Sequence, residues 1–171
     1  AGRARALMAQ AKVEGFLTGM DRGRALAEAA VEATRQAGES LTQRARAALL
    51  RSIGQICWWQ GDPYATVRYC QEALQFVPDE LSPIAAEVLM TMATPHLYWR
   101  DLDTALRCAE RGLEIAQRLQ LNELLPMAYA TLGNVLTRCG ESSRAENCLR
   151  QAMDLSRGLG LETYAQVMAA G

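Results

Sequence analysis

His96 is the only histidine in 171 residues, and that count removes much of the chemistry open to a chain of this size. Metal sites built on several histidines are excluded, and no cysteine, histidine or carboxylate stands at metal-ligand spacing on the helix face that would carry His96. Packing in a core or a groove is the expected role of that ring. No nucleophile–base pair stands out for covalent catalysis. Cys57, Cys70, Cys108, Cys139 and Cys148 are odd in number and contain no CxxC pair, so they read as reduced packing residues. Gly158-Leu159-Gly160 follows a helix-period segment rather than a strand and reads as a helix stop, and no phosphate-binding loop is present. The expectation is a chain with no catalytic residue, no cofactor and no metal.

Recognition chemistry is better supplied. Trp58, Trp59 and Trp99 offer flat stacking surface, and arginines offer forked hydrogen bonds to carboxylate or phosphate. Each tryptophan has a second reading as a ring plugging a junction between helices. Neighbouring residues on a helix point about 100° apart, so Trp58 and Trp59 cannot both be fully buried in one layer. Pro95 lies inside a helix-period segment, where it removes a hydrogen bond and either kinks the helix or is tolerated near its end; a kink would re-aim Thr91, His96 and Tyr98.

These residues have to be held by helices. The chain is 50% hydrophobic and only 6% aromatic, with no alternating valine- or isoleucine-rich run, which favours a packed all-α fold over a sheet. The net charge of −1 comes from interleaved arginines and acids, a poor match to nucleic acid, and charges such as Arg144, Glu146 and Arg150 read as solvated helix faces. Apolar runs fall far short of the ~20 residues that cross a bilayer, and the N-terminal stretch lacks a signal core, so a cytoplasmic protein with no membrane partner is expected.

In chain order, residues 3–38 read as a first helical hairpin, with helices over 3–17 and 24–38 punctuated by Gly19, Asp21 and Gly23. Ser40 with Gln43 reads as a capping box opening a second hairpin over 40–78, whose turn is Gly61-Asp62-Pro63. PDELSP (78–83) is the longest irregular connection. Ser82-Pro83 opens a third hairpin over 82–120, with Asp101 capping its second helix. Asn122 is the candidate cap of a fourth over 122–160, with Pro126 leaving its start ambiguous by a turn. Gly140 ends the first helix of that last hairpin, and Glu141 or Ser142 caps the second. Residues 161–171 begin a further helix, and both ends look cut, as in a fragment of a longer protein.

Within 128–160, Gly133, Ala145 and Ala152 are small enough to let two helix axes approach at the short end of ~8–10 Å. Leu132, Leu136, Leu149, Met153 and Leu155 form an apolar stripe beside them. Moving back 79 residues places Ile53-Gly54, Gly61, Cys70 and Ala73 on the same pattern, and moving back 40 places Met92-Ala93, Ala105, Ala109 and Gly112 on it. The order Leu132-Gly133, Leu136, Gly140, Ala145, Leu149, Ala152 resembles the signature of the tetratricopeptide repeats, here lengthened from about 34 residues to about 40. Repeats of this long form are similar to those in the sensor region of bacterial ATP-dependent LuxR-type activators of the maltose-regulator kind. The resemblance implies a right-handed superhelix, an α-solenoid, built as one domain.

The resemblance also implies a groove lined by the first helix of each repeat. Carried onto this sequence, its lining positions are Arg51, Gln55, Trp58 and Trp59, then Glu87, Met90, Thr94, Leu97 and Tyr98, then Met127, Asn134, Thr137 and Arg138. Such a lining suits a protein or peptide segment, or a small polar effector. The implied function is a non-enzymatic sensing arm of a signal-dependent transcriptional regulator; a plain scaffold for a partner's peptide is the alternative. An end-to-end homodimer through an exposed apolar helix face is a further expectation.

Overall fold

The computed structural model describes residue 6 and residues 20–37, 42–77 and 81–160. The expected helix over 3–17, the Ser40 cap and the segment 161–171 lie outside them. Seven α-helices follow in order: α1 Met20–Ala37, α2 Gln43–Trp59, α3 Pro63–Gln75, α4 Pro83–Tyr98, α5 Leu102–Arg118, α6 Leu125–Cys139 and α7 Ser142–Gly158. There is no strand among the described residues, so the all-α expectation holds. The chain divides into two compact units, 1–80 and 81–171, and the division falls inside the PDELSP connection. In the first unit α2 and α3 form a hairpin with α1 packed on α2; in the second, α4–α5 and α6–α7 are hairpins joined through α5–α6 and α4–α6.

The turn within each hairpin is built in the same way. Arriving helices end in a residue with left-handed backbone, Gly61 (φ 74°), Arg100 (φ 63°) and Gly140 (φ 80°). The next residue returns its amide to a carbonyl five positions earlier, Asp62 to Cys57, Asp101 to His96 and Glu141 to Leu136, each at 2.9 Å. That closes carbonyls which a helix end leaves unpaired. The same residue then starts the next helix. Asp62 Oδ1 accepts the amide of Ala65 at 2.9 Å, and Asp101 Oδ1 accepts that of Thr104 at 3.3 Å. Glu141, one methylene longer, makes no such cap and instead takes the Arg144 guanidinium at 2.6 Å.

Between hairpins the starts differ from expectation in two places. Thr42 caps α2 through its hydroxyl to the amide of Ala45 at 3.2 Å, which places Gln43 at the first helical position. Asn122 does not cap α6: residues 122–124 form a separate turn, Leu124 precedes the helix without a side-chain cap, and Pro126 sits in its first turn. The left-handed Gln120 (φ 52°) re-aims the chain there, so the helix starts later. Ser82 caps α4 as its Ser-Pro spacing requires. α1 begins at Met20 and takes in Asp21 and Gly23, since a first turn tolerates residues that would weaken a helix interior. Pro95 is buried in the last turn of a continuous α4, where one missing amide is tolerated.

Glycine sets the closeness of the paired helices. A methyl added at Gly133 would lie 2.7 Å from Cγ of Leu149 and 3.4 Å from the Ala145 carbonyl; at Gly54 it would lie 3.0 Å from Sγ of Cys70 and 3.2 Å from the Thr66 carbonyl. In the middle hairpin the glycine stands on the other helix: Gly112 faces Met90 Cγ at 2.9 Å and the Ala86 carbonyl at 3.3 Å. Ala47, Cys70, Ala73, Ala86, Ala93, Ala105, Ala109 and Leu136 complete a fully buried interior. Thr66, also fully buried, donates its hydroxyl to the Gly54 carbonyl at 3.1 Å and to that of Asp62 at 2.9 Å, so its polar group is satisfied where it is sealed from water. In the second unit Gln117 donates to the Tyr129 hydroxyl at 2.8 Å, and Arg144 pairs with Glu110 at 3.1 Å.

Gly133→Ala will lower stability by about 1–3 kcal/mol through overpacking against Leu149, and Arg100→Gly, which relieves a left-handed side chain, will raise it by up to about 1 kcal/mol. Urea denaturation of both variants checks the opposite signs. The Thr104 side chain and amide, with the His96 ring, hold the Asp101 carboxyl below its usual range. Its contribution is therefore present above the ordinary carboxylate pKa near 4 and is lost as pH falls through the depressed value. Asp101→Asn will flatten the loss of stability as pH falls below about 4, read from denaturation midpoints at successive pH values.

Candidate functional site

The expected lining residues fall into two sets, one in each unit. On α2, Arg51, Gln55 and Trp58 are half-buried, and Trp59 is 45% exposed. Arg51, Gln55 and Trp58 follow at spacings of four and three residues and so fall along one side of the helix, with Trp59 next to Trp58. The tryptophan pair thus divides as adjacent helical residues must, one side chain turned further into the fold than the other.

In the second unit the lining comes from α4 and α6, two helices that lie side by side. Glu87, Thr94 and Leu97 are half-buried and Tyr98 is 72% exposed; on α6 Met127 is half-buried and Asn134, Thr137 and Arg138 are exposed. The Thr137 hydroxyl is engaged with its own helix, donating to the Gly133 carbonyl at 2.9 Å. Met90 departs from its expected place. It is 2% exposed and inside the α4–α5 hairpin, because Gly112 opposite has no side chain and the thioether fills that space.

Two of the expected residues are brought to one site. Glu87 and Met127 share a cavity of about 530 Å³ with Pro83, Leu121, Asn122, Glu123 and Leu124. α4 contributes its first turns, α6 its start, and the connection after α5 forms the rest. The connection residues were not expected in a site. The signal for them was Leu121 and Leu124, apolar residues in a stretch too short for a helix of its own. A second, smaller space of about 70 Å³ lies in the first unit among Glu28, Val31, Ile53, Cys57, Gln60, Asp62, Ala65, Arg68 and Tyr69. That is room for about two waters.

His96 is held rather than poised. Its Nδ1 lies 3.0 Å from Oδ2 of Asp101, and its ring meets Trp99 edge-on at 5.5 Å between centroids. The ring therefore ties the end of α4 to the start of α5. The five cysteines form no disulfide; burial pushes the thiols of Cys108, Cys139 and Cys148 above the ordinary value, which suits packing rather than nucleophilic work. Among the described residues no three His, Cys, Asp or Glu side chains are grouped so as to hold a metal, and no helix is long and apolar enough to cross a membrane.

No protein-family model and no curated protein matches the sequence. Solved structures do. Aspartyl phosphate phosphatase F from Bacillus subtilis superposes with a TM-score of 0.78 at 12% identity over 98% of this chain and 44% of its own, so this chain spans under half of its length. Bacillus thuringiensis PlcR, solved with the peptide PapR7 and DNA, gives 0.72 at 12% identity over 98% of this chain and 68% of its own. MamA gives 0.57 at 16% identity, covering 86% of each. At such identities the likeness is one of fold, and activities do not carry across with it. The fold is that of the tetratricopeptide-like helical repeats, an all-α architecture of antiparallel hairpins.

Proposed function

We propose that this chain is a non-catalytic, peptide- or protein-binding regulatory domain of the tetratricopeptide-like fold. What supports the reading is that Tyr98, Asn134 and Arg138 are exposed on the neighbouring helices α4 and α6, and that the starts of those helices line a cavity of about 530 Å³. An exposed ring, an amide with both donor and acceptor, and a guanidinium can bind the backbone and side chains of an extended segment without any group positioned for bond cleavage. PlcR, similar in fold along 98% of this chain, was itself solved with a peptide. The finer reading is that the domain serves as the sensing arm of a larger transcriptional regulator, similar to LuxR-type activators of the maltose-regulator kind, and passes its bound state to domains that contact DNA. In that reading α2 presents Arg51, Gln55, Trp58 and Trp59 to the same class of ligand. A plain scaffold would bind peptide equally well but would transmit no state.

A random peptide library panned against the full chain will yield binders, and Arg138→Ala and Asn134→Ala will each weaken their fluorescence-anisotropy affinity roughly five- to tenfold at unchanged melting temperature. A library that returns no binder, or binders indifferent to Tyr98, Asn134 and Arg138 substitutions, counts against the reading. Fusing the chain to its natural flanking domains and finding DNA affinity unchanged by a selected peptide would favour the scaffold over the sensing arm.

A further inference from the structure

The cavity of the second unit is one end of a longer arrangement. Its walls include Pro83 and Glu87 from the first turns of α4 and Leu124 and Met127 from the start of α6, so these two neighbouring helices leave it in the same direction. On α4, Glu87 is followed by Thr91, Thr94 and Tyr98; on α6, Met127 is followed by Thr131, Asn134 and Arg138 at the same intervals. Positions spaced by four, three and four residues fall within about 60° around a helix axis. Each set therefore continues along the side of its helix that borders the cavity.

The chemistry changes along these sides. At the cavity, Pro83, Leu121, Leu124 and Met127 form an apolar wall, and no basic side chain is among the lining residues. Thr91 is engaged with its own helix, donating to the Glu87 carbonyl at 2.8 Å. In the middle stand Thr94 and Thr131, half-buried, and Asn134, exposed; their side chains make no hydrogen bond among the described residues. At the far end Tyr98 and Arg138 are exposed. Arg111, Arg118, Arg144, Arg150 and Arg157 of this unit are each paired with an acid, whereas Arg138 makes no ion pair among the described residues.

An apolar pocket, then neutral donors and acceptors, then a guanidinium match an extended segment lying along α4 and α6. The pocket takes an apolar side chain, hydroxyl and amide groups take backbone, and arginine takes a carboxylate. From residue 127 to residue 138 a helix rises roughly 16 Å. An extended chain covers that in about five residues. Resting on the peptide-binding reading above, we infer that this unit selects a peptide carrying a leucine-like residue and an acidic group about five residues apart. The first enters the cavity, the second meets Arg138, and the backbone between them lies on Thr94, Thr131 and Asn134. A structural account exists for Arg138 alone, because a cation in the last turn of a helix favours the helix dipole. That account requires no spacing in the ligand.

The test uses the full chain and fluorescein-labelled peptides of serine and alanine with both termini capped. Each carries one leucine and one glutamate, in either order, at separations from about one to seven residues. Affinity by anisotropy will peak at a separation of about four to six and fall roughly tenfold at one or two. At the best separation, glutamine in place of glutamate will cost roughly three- to tenfold, and Arg138→Gln will remove that difference while leaving the glutamine peptide unaffected. Met127→Ala will weaken the leucine peptides but not one with serine in place of leucine, and Arg150→Gln, outside the site, will change nothing. A flat profile across separations overturns the inference while leaving peptide binding intact, as does equal binding of the glutamate and glutamine peptides. An Arg138→Gln variant that loses melting temperature but keeps the glutamate preference assigns Arg138 to the helix dipole and likewise overturns it. Failure of every peptide overturns the inference alone when the random library yields binders, and both readings when it does not.

Discussion

Everything in this fold rests on how closely two antiparallel helices can approach. A helix pair separated by ordinary side chains leaves a layer to be filled, whereas a pair meeting at a missing side chain brings backbone against backbone. Gly54 meets the Thr66 carbonyl, Gly133 the Ala145 carbonyl and Gly112 the Ala86 carbonyl, at 3.2, 3.4 and 3.3 Å from the site a methyl would take. The alanines around each crossing are sealed from solvent, so every hairpin has a core thin in volume but complete in packing. With the hairpins this tight, their outer surfaces remain available for packing against neighbours and for the exposed face of α4 and α6.

Much of this architecture is legible in the residues. Small side chains recurring at about 40-residue intervals locate the crossings, and Gly61-Asp62-Pro63, Ser82-Pro83 and Gly140 locate turns, because each residue type satisfies a specific backbone demand. Legibility fails where residue chemistry does not by itself fix a helix start. Thr42, which the residue pattern did not single out, caps α2. Asn122 has the right chemistry for a cap, yet the left-handed Gln120 spends the next residues on a separate turn.

The candidate site was legible by halves. Tyr98, Asn134 and Arg138, which only the family resemblance singled out, are exposed on α4 and α6. Met90 shows where position stops being informative: the residue opposite it is a glycine on another helix, and a flexible thioether takes the vacated volume. Leu121, Asn122, Glu123 and Leu124 escape such reasoning altogether, since they belong to a connection with no period, and only the folded chain shows them closing a cavity with Glu87 and Met127.

The shared design of the hairpin turns bears on where such a chain can change its length. In each turn the residue that returns its amide to the departing helix is also the one that precedes the next helix, as Asp62, Asp101 and Glu141 do. No residue there is spare. An insertion at these points would separate two roles that one backbone unit performs, leaving a helix end open on one side or the other. The connection after α5 has no such double duty, since Leu121 returns its amide to Ala116 and α6 starts only at Leu125. Added sequence, whether a reporter tag or an evolved loop, is therefore accommodated after α5, between hairpins, rather than within a hairpin turn.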